Sequence, residues 1–202
     1  MTKIKLCGMS RAEDILAANE LLPDYIGFVF APNSKRYVSP ENALRLRAML
    51  CSDIKAVGVF VDEKVERVAE LLKKDIIDLA QLHGSEDNGY IARLRELTDK
   101  PIIKAFRIAS DEDIAMANES PADTVLLDAG AGDGMTFNWS LLKNINRPYF
   151  LAGGLSCENI GAAVSSIHPY GVDVSSGIET NGNKDKEKMA VFVAEVRKED
   201  KR

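Results

Sequence analysis

Along the whole chain, short apolar runs rich in β-branched residues alternate with longer amphipathic stretches. The short runs are Lys3 to Cys7, Asp24 to Phe30, Ile54 to Phe60, Ile77 to Leu82, Pro101 to Phe106, Thr124 to Asp128, Tyr149 to Ala152 and Gly171 to Val174. Their length and composition predict strands. Between them, Ser10 to Leu22 carries Ile15, Leu16 and Ala18, and Lys64 to Lys74 carries Val65, Val68, Leu71 and Leu72. Recurrence at three- and four-residue steps predicts amphipathic helices. Ser10, Ser39 before Pro40, Asp62, Ser110 and Ser156 stand at the expected helix starts, where a short polar side chain can accept from free backbone amides.

Alternating strands and helices imply a parallel sheet, either open and doubly wound or closed on itself. Eight units favour closure, so the predicted fold is α/β, a single (β/α)8 TIM barrel spanning residues 1–202. Such barrels typically run to ~250 residues, so the loops on the face without chemistry must be very short.

Composition narrows the partners. With 46% hydrophobic and 28% charged residues and no linker, the chain reads as one ordinary globular domain. No apolar run reaches the roughly 18–20 residues of a membrane span. The N-terminus enters a strand at once, without the long apolar stretch of a signal peptide, so a cytoplasmic protein with no membrane partner is expected. Cys7, Cys51 and Cys157 are odd in number and form no CxxC pair, which points to free thiols and away from disulfides or a metal site. A formal charge of −5 with scattered Lys and Arg gives no general attraction for nucleic acid. Nothing in the pattern separates a monomer from a homodimer.

Chemistry in a β/α barrel lies at the C-terminal strand ends. Cys7 ends the first strand and has two readings, a small apolar filler or a reactive thiol. Gly8 and the Ser10 helix start would set it near a helix N-terminus, where a thiolate is favoured. Cys51 and Cys157, at a helix end and a helix start, read as structural. Asp128 ends Val125-Leu126-Leu127 and enters a Gly-rich loop, Ala129 to Gly134, where it is either a turn-capping carboxylate or an acid that burial keeps protonated. Arg36, after the second strand, is either solvated surface or a fork for a planar carboxylate. Gly153-Gly154 and Ser175-Ser176-Gly177, after the seventh and eighth strands, offer successive amides to a phosphate, though tight turns would look the same.

Taken together, KLCGM (Lys5 to Met9), GFVF followed by SKRYVSP (Gly27 to Pro40), GVFV (Gly58 to Val61), QLHG (Gln81 to Gly84), LLD (Leu126 to Asp128), TFNW (Thr136 to Trp139), LAGGL (Leu151 to Leu155) and GVDVSSGIE (Gly171 to Glu179) resemble the phosphoribosylanthranilate isomerase family over the whole chain. The resemblance implies an Amadori rearrangement of a small phosphorylated substrate, N-(5-phosphoribosyl)anthranilate, in tryptophan biosynthesis, with neither cofactor nor metal. It implies Cys7 as general base and Asp128 as general acid. It implies Arg36 on the anthranilate carboxylate, and Gly153, Gly154, Ser176 and Gly177 around the phosphate. His83 and Asp173 fall on positions that line the family's substrate pocket. One departure stands out: a loop that usually ends in GKTFDW here reads Gly134-Met135-Thr136-Phe137-Asn138-Trp139, without the lysine and the second acid. Other phosphate-binding barrels fit less well. A ribulose-phosphate epimerase needs metal-binding His and Asp residues, and His83 and His168 are the two histidines of the chain. The histidine-pathway isomerase resembles a two-aspartate machine with an acid in place of Cys7. A silent phosphate-binding barrel would not need both the acid and the base.

Overall fold

In the computed structural model, residues 1–128 and 139–201 are described. Eight parallel strands close into a barrel in chain order: β1 (Lys3–Cys7), β2 (Tyr25–Val29), β3 (Lys55–Phe60), β4 (Leu79–Leu82), β5 (Ile102–Arg107), β6 (Thr124–Asp128), β7 (Tyr149–Ala152) and β8 (Gly171–Val174). The eight predicted runs reappear with ends moved by at most two residues. Around them lie α1 (Ala12–Leu21), α2 (Pro40–Met49), α3 (Val65–Lys73), α4 (Asn88–Leu97), α5 (Asp111–Glu119), α6 (Ile160–Ile167) and α7 (Lys186–Glu199). Between β6 and β7 the described helix is a 3-10 turn, Trp139–Asn144, rather than an α-helix. A short hairpin, β9 (Glu179–Thr180) and β10 (Asn183–Lys184), follows β8.

Ser39 and Ser110 cap α2 and α5 as expected, accepting from the amides of Asn42 and Asp113. Three other starts differ. The amides of Ser10 and Arg11 donate to Asp14, which anchors the beginning of α1. Asp62 sits in the left-handed region at φ 53° and accepts from the amide and hydroxyl of Ser85, so α3 begins only after Lys64. Asn159 accepts from the Ser156 amide and directly precedes α6.

Period-two alternation divides the strand residues into two sets. Ile4, Leu6, Ile26, Phe28 and Ala56 belong to the large apolar layer shared with the helices. Val57, Ile103, Ala105, Leu126, Phe150 and Ala152 form a separate cluster inside the barrel. Phe150 is set between Tyr25 and Tyr170, each edge-on with centroids 5.6 Å away. A side chain at Gly171 would lie 2.4 Å from the Phe150 ring, so the missing Cβ gives that ring its place.

Asp24 ties the two ends of the chain together. Its carboxylate accepts from Lys3 Nζ at 2.7 Å, from the Ile4 amide at 2.9 Å and from Arg197 of α7 at 3.1 Å. Arg197 also donates to the Thr2 carbonyl at 2.7 Å. Burial would raise the Asp24 pKa, but these donors outweigh it and hold the carboxyl below its ordinary range. A depressed folded-state pKa gives stability that is present above the unfolded value, ~3.9, and lost as pH falls through the folded one. Asp24→Ala should therefore lower the unfolding free energy by about 1–3 kcal/mol at pH 7. In urea unfolding, the gap from the unsubstituted protein should narrow as pH is taken from 7 toward 3; a gap constant across that range would contradict the assignment.

Candidate active site

Alternation along the strands brings the inward residues at their C-terminal ends to one mouth. A cavity of about 570 Å³ opens there, lined by Cys7, Arg36, His83, Asp128, Gly153, Gly154, Asp173 and Ser176, eight of the nine residues singled out from the sequence. The ninth, Gly177, lies beside it and forms a parallel bridge with Ser156, joining the loops after β7 and β8. A Cβ on Gly177 would fall 2.0 Å from the Leu155 carbonyl oxygen, so only glycine lets these loops meet this closely. Gly153 and Gly154 adopt φ values of 89° and 64°, in the left-handed region.

Cys7 is buried, and Gly27 stands opposite it on β2. A Cβ there would sit 2.7 Å from Sγ, so the glycine makes room for the thiol. The expected helix-N-terminus effect on Cys7 is not found. The amides of Gly8 and Met9 both donate to the Gly27 carbonyl at 2.9 Å, and those of Ser10 and Arg11 are spent on Asp14. With these four donors occupied, burial pushes the Cys7 thiol up, and Asp173 adds to the rise; Lys5 and Lys184 oppose it without reversing it. Cys51 and Cys157 are half-buried outside the cavity, and Cys157 Sγ donates to the Lys188 carbonyl at 3.3 Å.

Across the mouth, Asp128 Oδ2 is 3.4 Å from His83 Nε2, and the Asp128 side chain is 29% exposed. His83 Nδ1 is in turn 2.8 Å from Gln81 Nε2. Gln81 is buried, and its Oε1 has no hydrogen-bond partner among the described residues. The ring of His83 is thus held between an amide and the carboxylate that faces the cavity.

Arg36 does reach the mouth, but it already holds a carboxylate. Its Nε and Nη2 donate to Glu179 at 2.6 and 2.8 Å, and that pairing, against the opposing effect of burial, raises its pKa. Lys184 of β10 shares the same Glu179 at 2.5 Å and also donates to the Ser175 carbonyl at 2.9 Å. Burial lowers the Lys184 pKa in spite of Glu179. Ser175 Oγ in turn donates to the Cys7 carbonyl at 3.2 Å.

Lys5, Gln81, Arg107 and Lys184 were not singled out from the sequence, and Ser175 was read only as part of the loop after the eighth strand. A signal existed for Lys5, a charge two residues before Cys7 and flanked by Ile4 and Leu6 in the middle of the strand. Arg107 carried one too, since it ends β5 and pairs in register with Asp128. For Lys184 there was none, because its place depends on the hairpin turn. Met135, Asn138 and the Ala129 to Gly134 loop lie outside the described residues. Among the described residues no group of three or more His, Cys, Asp or Glu side chains could hold a metal ion, and no helix is long and apolar enough to cross a membrane.

Comparison with known proteins gives a consistent result. Residues 4–195 match the family described as N-(5'-phosphoribosyl)anthranilate (PRA) isomerase. A curated N-(5'-phosphoribosyl)anthranilate isomerase of Endomicrobium trichonymphae is 45% identical over 98% of this chain and 99% of its own. The crystal structure of phosphoribosyl anthranilate isomerase from Thermotoga maritima superposes with a TM-score of 0.90 at 35% identity, over 98% of this chain and all of the other. Another structure of such an isomerase, in complex with reduced 1-(o-carboxyphenylamino)-1-deoxyribulose 5-phosphate, gives 0.87 at 35% identity over 98% of this chain and 100% of its own.

The contact between Gly177 and Leu155 generates a test. Gly177→Ala should force the two loops apart and weaken binding of inorganic phosphate by about tenfold or more, roughly 1.4 kcal/mol, while the barrel still unfolds cooperatively. Unchanged phosphate affinity by calorimetry would show that these loops do not form the anion site.

Proposed function

Because the chain belongs to the N-(5'-phosphoribosyl)anthranilate isomerase family and is an isomerase of tryptophan biosynthesis, we propose that it works by two proton transfers on opposite sides of one barrel mouth, from Asp128 and to Cys7. The observation that carries this reading is the placement of a buried thiol on β1 and a carboxyl on β6 in the lining of one cavity, beside glycine-rich loops suited to a phosphate.

The reaction converts N-(5-phosphoribosyl)anthranilate to 1-(2-carboxyphenylamino)-1-deoxyribulose 5-phosphate. The furanose opens when its ring oxygen takes a proton as the C1′–O bond breaks, and the nitrogen lone pair forms the Schiff base. Asp128 supplies that proton, and the carboxylate it leaves faces His83 Nε2. Cys7 then removes the C2′ proton. The electron pair of that C–H bond moves into C1′–C2′ while the C1′–N π pair returns to nitrogen, giving an enolamine that tautomerises to the ketose. A base near the sugar must be a thiolate for this step, so its charge has to be supported within the cavity.

Gly153, Gly154, Ser176 and Gly177 hold the phosphate through backbone amides, a fitting device in a chain of net charge −5. Arg36 takes the anthranilate carboxylate on the edge not occupied by Glu179, and His83 and Asp173 border the sugar. The residues involved come from a single chain, so a monomer and a homodimer would carry the same site. The proposed setting is the cytoplasm.

Purified protein should consume phosphoribosylanthranilate, followed by the loss of its fluorescence; no consumption would end the proposal. Cys7→Ala and Asp128→Asn should each lower kcat by ~10²-fold or more. Near-normal turnover in either would remove that residue from the mechanism. Arg36→Met should act mainly on KM, raising it by about tenfold or more, because a carboxylate contact remote from C1′ and C2′ is made in ground and transition states alike.

A further inference from the structure

The thiolate required of Cys7 lacks the backbone support that its position promises. The four amides that follow it are engaged by Gly27 and Asp14. What lies beneath it is a cation. Lys5 is two residues earlier on β1 and therefore faces the same side of the strand. It is wholly buried, with its ammonium 2.8 Å from Asp173 Oδ1, and Asp173 is its register partner on β8.

A buried ion pair is weak support for stability, since removing two charges from water offsets most of their attraction. Packing alone therefore gives no reason for a lysine beside the apolar cluster of Val57, Ile103, Ala105, Leu126, Phe150 and Ala152. Its neighbours supply one. The charged groups facing Cys7 are Lys5 of β1, Asp173 of β8, Lys184 of β10 and Arg36 from the loop after β2. Arg36 and Lys184 share Glu179, whereas Lys5 stands on the same strand and the same face as Cys7, and its positive charge opposes the rise in the thiol's pKa more than that of any other cation.

We propose that Lys5 is a positioning residue for the isomerisation: its buried ammonium, clamped by Asp173, is the counter-charge of the Cys7 thiolate, and Asp173 restrains how much of that charge the sulfur feels. Although it rests on the reading of Cys7 as the base, it has consequences that can be measured without substrate. The pair gives the two partners opposite signs. Removing the cation disfavours the thiolate, and removing the anion favours it. Lys5 itself stays charged, because burial would lower its pKa but Asp173 and Cys7 more than offset that.

The test is the pH dependence of iodoacetamide alkylation at Cys7, located by peptide mass spectrometry in the full-length protein so that Cys51 and Cys157 do not interfere. Lys5→Met should raise the midpoint by about one pH unit or more, a tenfold loss of thiolate at a given pH. Asp173→Asn should lower it. The acid limb of kcat/KM should move with the Lys5→Met midpoint. Shifts of the same sign in both variants, or no shift in either, would overturn the proposal and leave the pair with a purely structural role. If Lys5→Met does not fold, Asp173→Asn still decides, because a midpoint that fails to fall refutes the restraint. The base assignment is tested separately, as Cys7→Ala with normal turnover would sink it whatever the alkylation shows.

Discussion

Pairing of β8 with β1 closes the barrel, and the register of that seam sets Lys5 against Asp173 and Leu6 against Val174. A slip of one residue would turn Lys5 and Cys7 toward the helices and bring Ile4 and Leu6 inside. The ammonium would then lie among aliphatic side chains without its carboxylate, at a cost of several kcal/mol. Charge therefore specifies the seam along with apolar pattern. Below it, Lys3 pairs with Gly171, whose missing side chain gives Phe150 its place on the barrel floor. The interaction that closes the fold is thus the one that presents the thiol to the cavity.

Legibility in the sequence follows from how local each feature is. The strands were readable because short runs of four to six residues, rich in apolar and β-branched side chains, recur between amphipathic stretches, and eight of them imply a closed sheet. Cys7 and Asp128 were readable as residues of the mouth because they stand at the C-terminal ends of their strands. The hairpin β9–β10 was not, since two-residue strands carry no period. The electrostatic state of Cys7 was misjudged for a different reason. Gly8 and the start of α1 did suggest free amides, but whether an amide is free depends on acceptors such as the Gly27 carbonyl, which reach it only through strand pairing. Asp173 is likewise 168 positions from Lys5 in the chain, so the strand lysine gave no sign of its partner.

The opposite side of the mouth obeys a different electrostatic rule. Glu179 sits between Arg36 and Lys184, and the pairing holds its carboxyl below the ordinary range although burial alone would raise it. Two cations on one anion leave a local excess of positive charge in a protein of net charge −5. In the proposed function, the guanidinium edge opposite Glu179 is the one that a second carboxylate would take.

Holding Arg36 this way has two opposed effects on affinity. Glu179 withdraws part of the attraction that a bare guanidinium would exert on an anionic ligand. It also removes most of the rotamer freedom of a long side chain before the ligand arrives, a loss otherwise charged to binding at ~0.5–1.5 kcal/mol for each side chain ordered. Lys184 extends that rigidity to β1, since its ammonium reaches the Ser175 carbonyl and Ser175 Oγ donates to the carbonyl of Cys7. The Arg36 guanidinium and the strand that bears the thiol are therefore built on one hydrogen-bonded frame. A substrate held as proposed, at Arg36, would meet Cys7 at a distance set by the folded barrel and not by the ligand.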